Sequence, residues 1–380
     1  MSKTVTFDGA APVGTINFGI GQPSADLLPV DLVKHASQAF FDEAQPFELN
    51  YGVTQGDERF LHSLAGFLTS SYGAPATSDQ LIVTGGNSQG LDLVSVVFAN
   101  PGDTVFVEEP SYFLAFQIFR DHGLNIVGIP VDDDGLSVDA LQEALKSHKP
   151  AFLYTIPSYH NPGGQSTTED RRRRIVELAD EHDFLIVADE VYQLLYYYDK
   201  PPAAYGTMSA SERVLSLGSF SKILAPGLRL GWIQTSERLL SQIKAHGFIN
   251  SGGSINHISS LIVRKAIDNG SLESHIESLR HSYRSRVEAM DAALHEHFDG
   301  IAEWTRPDGG YFFWLRFDES VDTAPLREKA RAVQAGFQGG TVFSSQGQLR
   351  NYLRLSFAHY GENDIREGIA RLRSLFSKIK

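Results

Sequence analysis

The sequence contains no cysteine, and this absence excludes several kinds of chemistry. Disulfide bonds, thiolate nucleophiles, thiolate zinc sites and iron–sulfur clusters all depend on that residue. His295 and His297 do not replace it as metal ligands, because residues two apart on a helix do not share a face. We therefore expect no metal site.

Basic residues and long apolar runs are also scarce. The chain has 33 Lys and Arg against 46 Asp and Glu, for a formal charge of -13. A nucleic-acid binder needs a basic face that displaces counterions, so we expect no nucleic-acid partner. No uninterrupted apolar run approaches the roughly 18 residues that cross a bilayer, and the start of the sequence lacks the apolar core of a signal peptide. The sequence predicts a cytoplasmic protein without a membrane partner.

Short β-rich runs alternate with helix-like stretches through the middle of the chain. The runs are Leu81–Thr84, Thr104–Val107, Phe152–Ile156, Phe184–Ala188 and Val214–Leu217. The stretches between them include Ser88–Phe98, Ser137–Ser147 and Glu169–His182. Continuous apolar runs of this kind suit a sheet that is covered on both faces. We predict an α/β fold with a mostly parallel sheet covered by helices, and an additional antiparallel strand at Arg229–Gln234.

The alternation ends at about residue 254. A long helical stretch then runs to Phe298, followed by strand-like Gly310–Phe317 and Leu353–Phe357 and a terminal amphipathic helix from Asp364. This pattern indicates a smaller α+β domain. We expect an N-terminal arm and part of the small domain over residues 1–45, a large domain over 46–283 and the small C-terminal domain over 284–380.

Polar residues follow each of the five central runs. Ligands of open α/β sheets bind outside the carboxyl ends of the strands. The segments that come there are Gly85–Gly90, Glu108–Tyr112, Pro157–Gly164, Asp189–Tyr192 and Gly218–Lys222. They bring a glycine-rich helix start, an amide, a carboxylate, phenols, hydroxyls and an amine to one edge. The sequence therefore predicts a ligand site at this edge.

Two catalytic motifs compete for these residues. Gly86–Gly90 matches the G-x-S-x-G elbow of serine hydrolases, and Asp189 and His359 follow in the order of a triad, but only one clear strand precedes it. Ser219 and Lys222 match the S-x-x-K of penicillin-binding proteins, whose other motifs are missing. We consider both readings weaker than a cofactor site.

Single residues also have simpler interpretations. Asp189 alone would be a helix cap, Arg354 a surface strand residue and Asn161–Gly163 an ordinary turn. Arg171–Arg174 is expected to be an exposed helix face. Only the combination of these features favours a site.

The segment Ser219–Gly231, SFSKILAPGLRLG, resembles the pyridoxal-phosphate (PLP) lysine segment of class I/II aminotransferases, which have fold type I. Asn161–Gly164, Asp189–Tyr192 and Arg354–Phe357 stand in the order of that family, so the resemblance covers nearly the whole chain. The wording of Ser219–Gly231 and of GGNSQGLDL is most similar to the branch of 2-aminoadipate and kynurenine aminotransferases. The resemblance implies PLP as the cofactor.

The resemblance gives the central roles to two residues. Lys222 would hold PLP as a Schiff base and then move the substrate's α-proton. It can do so only if its amine is partly neutral, and burial beside Arg229 would lower its pKa. Asp189 would pair with the pyridinium nitrogen and keep it protonated, which preserves the ring as an electron sink.

Further residues would fix the cofactor. The resemblance implies that Tyr192 and Asn161 contact the O3′ atom of the ring and that Tyr112 stacks on its face. A helix start suits an anion through its free N–H groups and dipole. The implied phosphate contacts are Ser88, Gln89, Ser219, Ser221 and Arg229. In a homodimer, Tyr51 would reach the phosphate of the partner subunit.

The same resemblance places the substrate. Arg354 would bind the α-carboxylate through a bidentate fork. The alternation of Leu353, Leu355 and Phe357 to one face of their strand leaves Arg354 on the other. Gly21 matches the N-terminal segment that closes over the substrate.

Transamination between an L-α-amino acid and a 2-oxo acid, in a ping-pong cycle, is the reaction we expect. The alternative is a PLP-dependent lyase or synthase that eliminates, replaces or cyclises at the β or γ carbon. A transcription regulator on this fold is less favoured, because Gly19–Pro23 lies too early to leave room for a DNA-binding domain. Aromatic residues in Gly309–Trp314 and Phe248–Asn250 predict a preference for bulky or aromatic amino acids.

Overall fold

The computed structural model describes residues 14–209, 211–253 and 255–376. The strands are β1 (Ile16–Asn17), β2 (Leu81–Thr84), β3 (Thr104–Glu109), β4 (Asn125–Asp132), β5 (Gly135–Leu136), β6 (Pro150–Thr155), β7 (Leu185–Asp189), β8 (Val214–Ser219), β9 (Gly231–Thr235), β10 (Ala302–Glu303), β11 (Phe312–Phe317), β12 (Ala335–Gly336), β13 (Gln338–Gly339) and β14 (Tyr352–Ser356). The α-helices are α1 (Val30–Phe41), α2 (Glu58–Tyr72), α3 (Asn87–Phe98), α4 (Phe113–Asp121), α5 (Val138–Leu145), α6 (Glu169–His182), α7 (Phe220–Ile223), α8 (Glu237–Ala245), α9 (Gly247–Gly252), α10 (His257–Asp268), α11 (Ser271–Phe298), α12 (Ala324–Ala332) and α13 (Glu362–Arg373).

The main sheet has the strand order β2-β9-β8-β7-β6-β3-β4-β5. The central strands β4, β3, β6, β7 and β8 are parallel, and β9 is antiparallel to both β8 and β2. The predicted α/β fold with one antiparallel strand after residue 229 is therefore confirmed.

Both faces of this sheet are covered. Phe152 and Tyr154 of β6 belong to one apolar cluster, whereas Leu153 between them belongs to another. The second cluster includes Ile175 and Leu178 from α6. Because successive side chains of a strand point to opposite faces, helices pack on both sides of the sheet.

The C-terminal part contains an antiparallel sheet in the order β10-β11-β14-β13. The start of the described chain is attached to this part, because β1 pairs in parallel with β12. In addition, the Ser356 N–H donates to the Phe18 carbonyl at 2.8 Å. The N-terminal segment thus reaches the C-terminal sheet.

Three sequence expectations were wrong. The helical stretch before Phe298 is two helices, because Gly270 has a φ of 74° and separates α10 from α11. Strand β4 was missed, since only Ile129 in it is buried and it contains Gly128. Arg172, expected on an exposed helix face, is fully buried and donates to the carbonyls of Pro157 and Thr167.

No helix among the described residues combines the length and the apolar character that a bilayer span needs.

Candidate active site

The predicted site residues lie at the carboxyl edge of the main sheet. Strand β7 ends at Asp189, and its neighbour β8 leads directly into α7, which carries Lys222. Asp189 stands in register with Leu217 of β8. Because the two strands are parallel, the carboxylate and the lysine turn reach the same edge.

Asp189 is 6% exposed and both of its oxygens accept hydrogen bonds. Asn87 Nδ2 donates to Oδ1 at 2.6 Å, and Tyr154 Oη donates to Oδ2 at 2.9 Å. Burial raises the pKa of the Asp189 carboxyl, and the two donors and the nearby Lys222 charge act against that rise. The two donors and the Lys222 charge therefore favour the ionised form of this buried carboxylate and offset part of the effect of burial.

The Lys222 amine donates to the Gly21 carbonyl at 3.1 Å and lies 5.2 Å from the centre of the Tyr311 ring. Burial, together with the Arg354 and Arg229 cations, lowers the pKa of Lys222 to about 8, against the attraction of Asp189. Of the two cations, Arg354 has the larger effect, whereas the sequence pointed to Arg229. An amine of this kind can gain and lose a proton near neutral pH.

Arg354 is 4% exposed and lies between aromatic rings. Its Nη1 donates to Asn161 Oδ1 at 2.8 Å and its Nη2 to the Gly19 carbonyl at 3.1 Å. The guanidinium carbon is 4.0 Å from the Phe312 ring centre and 4.9 Å from that of Phe343. Burial lowers the pKa of Arg354 to about 10, so it is a cation at neutral pH. Its Nε is buried without a partner among the described residues, as expected of a group awaiting an anionic ligand.

Two tyrosines predicted to contact the cofactor are near this group. Tyr192 is buried and its ring centre lies 5.3 Å from that of Tyr311. Burial raises the pKa of Tyr192, and Arg354 acts in the opposite direction. Burial and the Asp189 charge raise the pKa of Tyr112 to about 12. Both phenols are therefore neutral donors at physiological pH.

The start of α3 and the Ser219 segment converge on Gly231. A Cβ placed on Gly231 would lie 2.6 Å from the Gly218 carbonyl oxygen and 3.0 Å from the Gly86 Cα. Among the described residues no side chain caps α3, whose N-cap is Gly86 with a φ of 84°. Arg229 Nη2 donates to the Gly85 carbonyl at 3.1 Å.

The hydroxyls and the amide lie around this point. Ser219 Oγ donates to Ser221 Oγ at 2.9 Å, and Gln89 Oε1 accepts from the Gly85 N–H at 3.1 Å. Ser88 is an exposed residue in the first turn of α3. A guanidinium, hydroxyls and an uncapped helix start are the donors that suit a phosphate dianion, so the residues present fit the phosphate of PLP.

Of two further predicted residues, Gly21 lies within the site, whereas Tyr51 lies at the surface. A Cβ on Gly21 would lie 3.1 Å from Phe312 Cζ and 3.7 Å from Arg354 Nη2, so Gly21 is part of the site. Tyr51 is 86% exposed and lines a surface pocket with Gly252 and His257.

The two aromatic segments predicted to lie near the substrate, Gly309–Trp314 and Phe248–Asn250, differ in their position. Tyr311 and Phe312 lie beside Lys222 and Arg354, whereas Phe248 is 63% exposed.

The serine hydrolase triad is not assembled. Asp189 is bonded to Asn87 and Tyr154, and His359 Nδ1 lies 3.4 Å from the Pro23 carbonyl. The hydrolase interpretation of Gly86–Gly90 is therefore wrong.

Sequence reasoning missed Asn87, Tyr154 and Tyr311 as neighbours of the central groups. Tyr154 gave no signal in the sequence, because its role comes from its place in register with Val187, two residues before Asp189 on the adjacent strand. Asn87 gave none, since its position directly before Ser88 suggested only a helix start.

Comparisons with known proteins identify the family to which this chain is similar. The family described as aminotransferase class I and II matches residues 13–372. Aromatic-amino-acid aminotransferase 1 of Thermococcus litoralis is 35% identical over 94% of this chain and 87% of its own length. A 2-aminoadipate transaminase of Thermus thermophilus is 31% identical over 94% of this chain and 89% of its own. A Pyrococcus horikoshii kynurenine aminotransferase, crystallised with PMP, KYN and KYA, has a TM-score of 0.90 at 32% identity and covers 96% of this chain and 91% of that chain.

Proposed function

Because the chain belongs to the class I and II aminotransferase family, we propose that it transfers the amino group of bulky or aromatic L-α-amino acids to a 2-oxo acid. It is a PLP-dependent aminotransferase of fold type I, as its motifs predicted. The preference for bulky or aromatic donors is supported by two relatives, one named for aromatic amino acids and one for kynurenine. No observation favours the lyase or synthase alternative, which is not carried further.

Three groups carry the proposal together. The Lys222 amine is close enough to the Asp189 carboxylate and to the Arg354 cation for both to influence its pKa. An amino acid needs a cation for its carboxylate and a base for its α-proton. Arg354 and Lys222 supply these two functions side by side, and the convergence of the three groups is the observation on which the function depends.

Lys222 would bond covalently to the cofactor and, once free, would carry the proton that leaves the substrate's α-carbon. The bound cofactor would supply an electron sink for the pair left by the broken C–H bond. A pKa of about 8 leaves part of the amine neutral at neutral pH, so it can act as a base. Asp189 would hold the protonated ring nitrogen, and the Asn87 and Tyr154 donors favour the charged form of its carboxylate.

The other residues position the two ligands. Tyr192 and Asn161 would donate to the ring O3′, and Tyr112 would pack on the ring face. The residues that would contact the phosphate are Ser88, Gln89, Ser219, Ser221 and Arg229. Arg354 receives the α-carboxylate with its planar fork, and the flanking rings of Phe312 and Phe343 keep that fork in place. Gly21 belongs to the segment that closes over the substrate.

A homodimer completes the site in this proposal. Exposed apolar side chains cluster in the segment that contains Tyr51, where Phe47, Leu49 and Val53 are each at least 65% exposed. A second copy of the chain would cover them and receive Tyr51 at its phosphate site. The cytoplasmic location and the division at residues 45 and 283 also stay predictions.

The test starts from the absorption spectrum of the purified holoenzyme. L-Phenylalanine should convert the visible band of the lysine-linked cofactor to that of the amine form, and 2-oxoglutarate should restore it. Lys222→Ala should retain cofactor and lose at least roughly 100-fold in turnover, because a positioned proton carrier contributes that much. Release of ammonia, or wild-type turnover by Lys222→Ala, would contradict the mechanism. Conversion of small aliphatic donors alone would contradict the substrate class.

A further inference from the structure

Two buried titratable groups beside the site have no part in the chemistry described so far. Glu108, near the end of β3, is 1% exposed, and His160 is 2% exposed. His160 Nε2 lies 3.2 Å from Glu108 Oε2, but this contact does not have hydrogen-bond geometry, and Nε2 has no hydrogen-bond partner among the described residues. A carboxylate and an imidazole that are both removed from water have a high desolvation cost, so they are kept together for a reason beyond packing.

The carboxylate of Glu108 is surrounded by donors. Thr155 Oγ1 donates to Oε1 at 2.7 Å, and the Ile156 N–H donates to Oε2 at 2.7 Å. These two donors each bind one carboxylate oxygen, and His160 Nε2 lies beside Oε2 without hydrogen-bond geometry. Glu108 therefore joins the end of β3 to the end of β6 and to the turn that follows β6.

The other ring nitrogen of His160 fixes the turn itself. Its Nδ1 accepts from the Gly163 N–H at 3.2 Å, which requires an unprotonated Nδ1 and places the hydrogen of a neutral ring on Nε2, the nitrogen nearest Glu108. The His160 main chain closes the same turn, because the Gly164 N–H donates to its carbonyl at 2.7 Å. Both the side chain and the main chain of His160 thus accept hydrogen bonds within this turn.

This turn carries Asn161, which is the partner of Arg354. We propose that Glu108 and His160 are positioning residues for Asn161, and through it set the orientation in which Arg354 receives the substrate carboxylate. The inference deepens the proposed function and rests on the carboxylate site assigned there. It extends the site by a carboxylate and an imidazole behind the residues that touch the substrate.

Glu108→Gln is the sharpest substitution, because it preserves shape and removes one acceptor oxygen. The amide oxygen of glutamine can still accept from Ile156, and its NH2 group can donate to the Thr155 hydroxyl, which also accepts. What the substitution removes is the negative charge beside His160, so the ring that holds the turn loses its charged neighbour. Thr155→Val is the matched control, since it removes one donor at the same carboxylate and leaves the contacts of Ile156 and His160.

The readouts are the dissociation constant of the holoenzyme for 3-phenylpropionate and the KM for L-phenylalanine. The acid has the carboxylate and ring of the substrate but no amino group, so it binds without reacting. We expect both constants to rise about tenfold in Glu108→Gln, with kcat changed less than about threefold, because bonds to charged groups carry effects of this size. Thr155→Val should stay within about twofold of wild type.

A double-mutant cycle separates positioning from a general loss of structure. In an Asn161→Ala background, Glu108→Gln should add less than about twofold, because the residue through which it acts is gone. His160→Asn is the second variant if Glu108→Gln does not fold, since it leaves the Glu108 carboxylate its two donors. A rise of threefold or more that disappears in the Asn161→Ala background supports the proposal.

Two results would overturn it. A rise below threefold in the folded variants, or an undiminished rise in the Asn161→Ala background, shows that the pair does not act through Asn161. Arg354→Ala distinguishes this failure from that of the proposed function. If Arg354→Ala does not weaken 3-phenylpropionate binding, the carboxylate site itself is wrong and the positioning proposal falls with it.

Discussion

Asn87 and Asp189 are 102 residues apart in the chain and are joined by a hydrogen bond of 2.6 Å. The bond runs from the first residue of α3 to the last residue of β7. It connects the helix start proposed to bind phosphate with the carboxylate proposed to bind the ring nitrogen. The two ends of the cofactor site are thus held at a fixed separation by one amide.

Tyr154, the second donor to the Asp189 carboxylate, can be tested with a matched control variant. Tyr154→Phe removes the hydroxyl that donates to Asp189 Oδ2, so the Asp189 pKa should rise and the cofactor dissociation constant should increase roughly tenfold. Tyr205→Phe removes a buried hydroxyl that has no partner among the described residues, and it should leave that constant unchanged. Titration of the cofactor-free proteins with PLP measures both. Equal effects of the two substitutions would argue against a role for the Tyr154 bond.

Arg354→Lys should separate substrate binding from cofactor binding. Lysine offers a point charge in place of a planar fork, so the dissociation constant for an amino acid should rise roughly 100-fold while that for PLP changes little. Arg316→Lys on the neighbouring strand is the control, because Arg316 is exposed and pairs with Glu303 at the surface. Rapid-mixing absorbance with L-phenylalanine measures the substrate constant. Loss of PLP from Arg354→Lys would show that the residue holds the cofactor instead.

The lowered pKa of Lys222 predicts how the stability of the cofactor-free protein depends on pH. The folded value is about 8 and the ordinary value is 10.5, so between these pH values the unfolded chain binds more protons and stability rises with pH. Below pH 8 the cost of the buried amine is complete, and it amounts to about 3 kcal/mol. Lys222→Met should therefore exceed wild type in free energy of unfolding at pH 7, by an amount that shrinks toward pH 10.5. A gap that does not change with pH in denaturant titrations would refute the lowered pKa.

Gly86 has a left-handed backbone conformation that favours glycine, and an added side chain would meet Arg229. Its φ is 84°, and an added Cβ would lie 2.9 Å from Arg229 Nη2. Gly86→Ala should cost about 1–2 kcal/mol in unfolding free energy and weaken PLP binding, because it displaces Arg229. Gly66→Ala in the middle of α2 meets nothing within 4 Å and should be neutral or stabilising. Thermal unfolding of both variants measures the change in stability. A Gly86→Ala variant with wild-type stability and wild-type PLP affinity would contradict the prediction.

Tyr51 can be assigned to its own or to the partner subunit by hybrid dimers. Lys222→Ala and Tyr51→Ala chains are co-expressed with different tags, and the mixed dimer is isolated. If Tyr51 acts across the interface, one of the two sites combines Lys222 of one chain with Tyr51 of the other, and about half of wild-type activity should return. If Tyr51 serves its own chain, both sites of the hybrid are defective and activity stays at the level of the parents.

The sequence predicted the strands whose residues are buried on both faces, and this explains which elements were found. Strands β2 and β8 have no exposed residue, so their apolar runs are continuous. Strand β4 was missed because residues at both its ends and Pro130 are exposed. The break between α10 and α11 falls at Gly270, a residue type that a helix interior tolerates, so the pattern alone did not separate the two helices.

The site was predictable where a motif marks it and unpredictable where only contacts do. Lys222, Asp189 and Arg354 stand in recognisable segments and meet at one edge of the sheet. Tyr154 and Glu108 look like ordinary strand residues, because what distinguishes them is the group they face. A contact across two strands leaves no mark in the sequence on either strand.

The pairing of β1 with β12 has a consequence for the synthesis of the protein. Residues 16–17 are synthesised long before their partners at residues 335–336, which lie in a distant part of the sequence. Gly19 and Gly21, whose carbonyls accept from Arg354 and Lys222, follow β1 directly. The central sheet can therefore form during translation. The part of the site that contains Gly19, Gly21 and Arg354 is completed only after β12 and β14 have been synthesised.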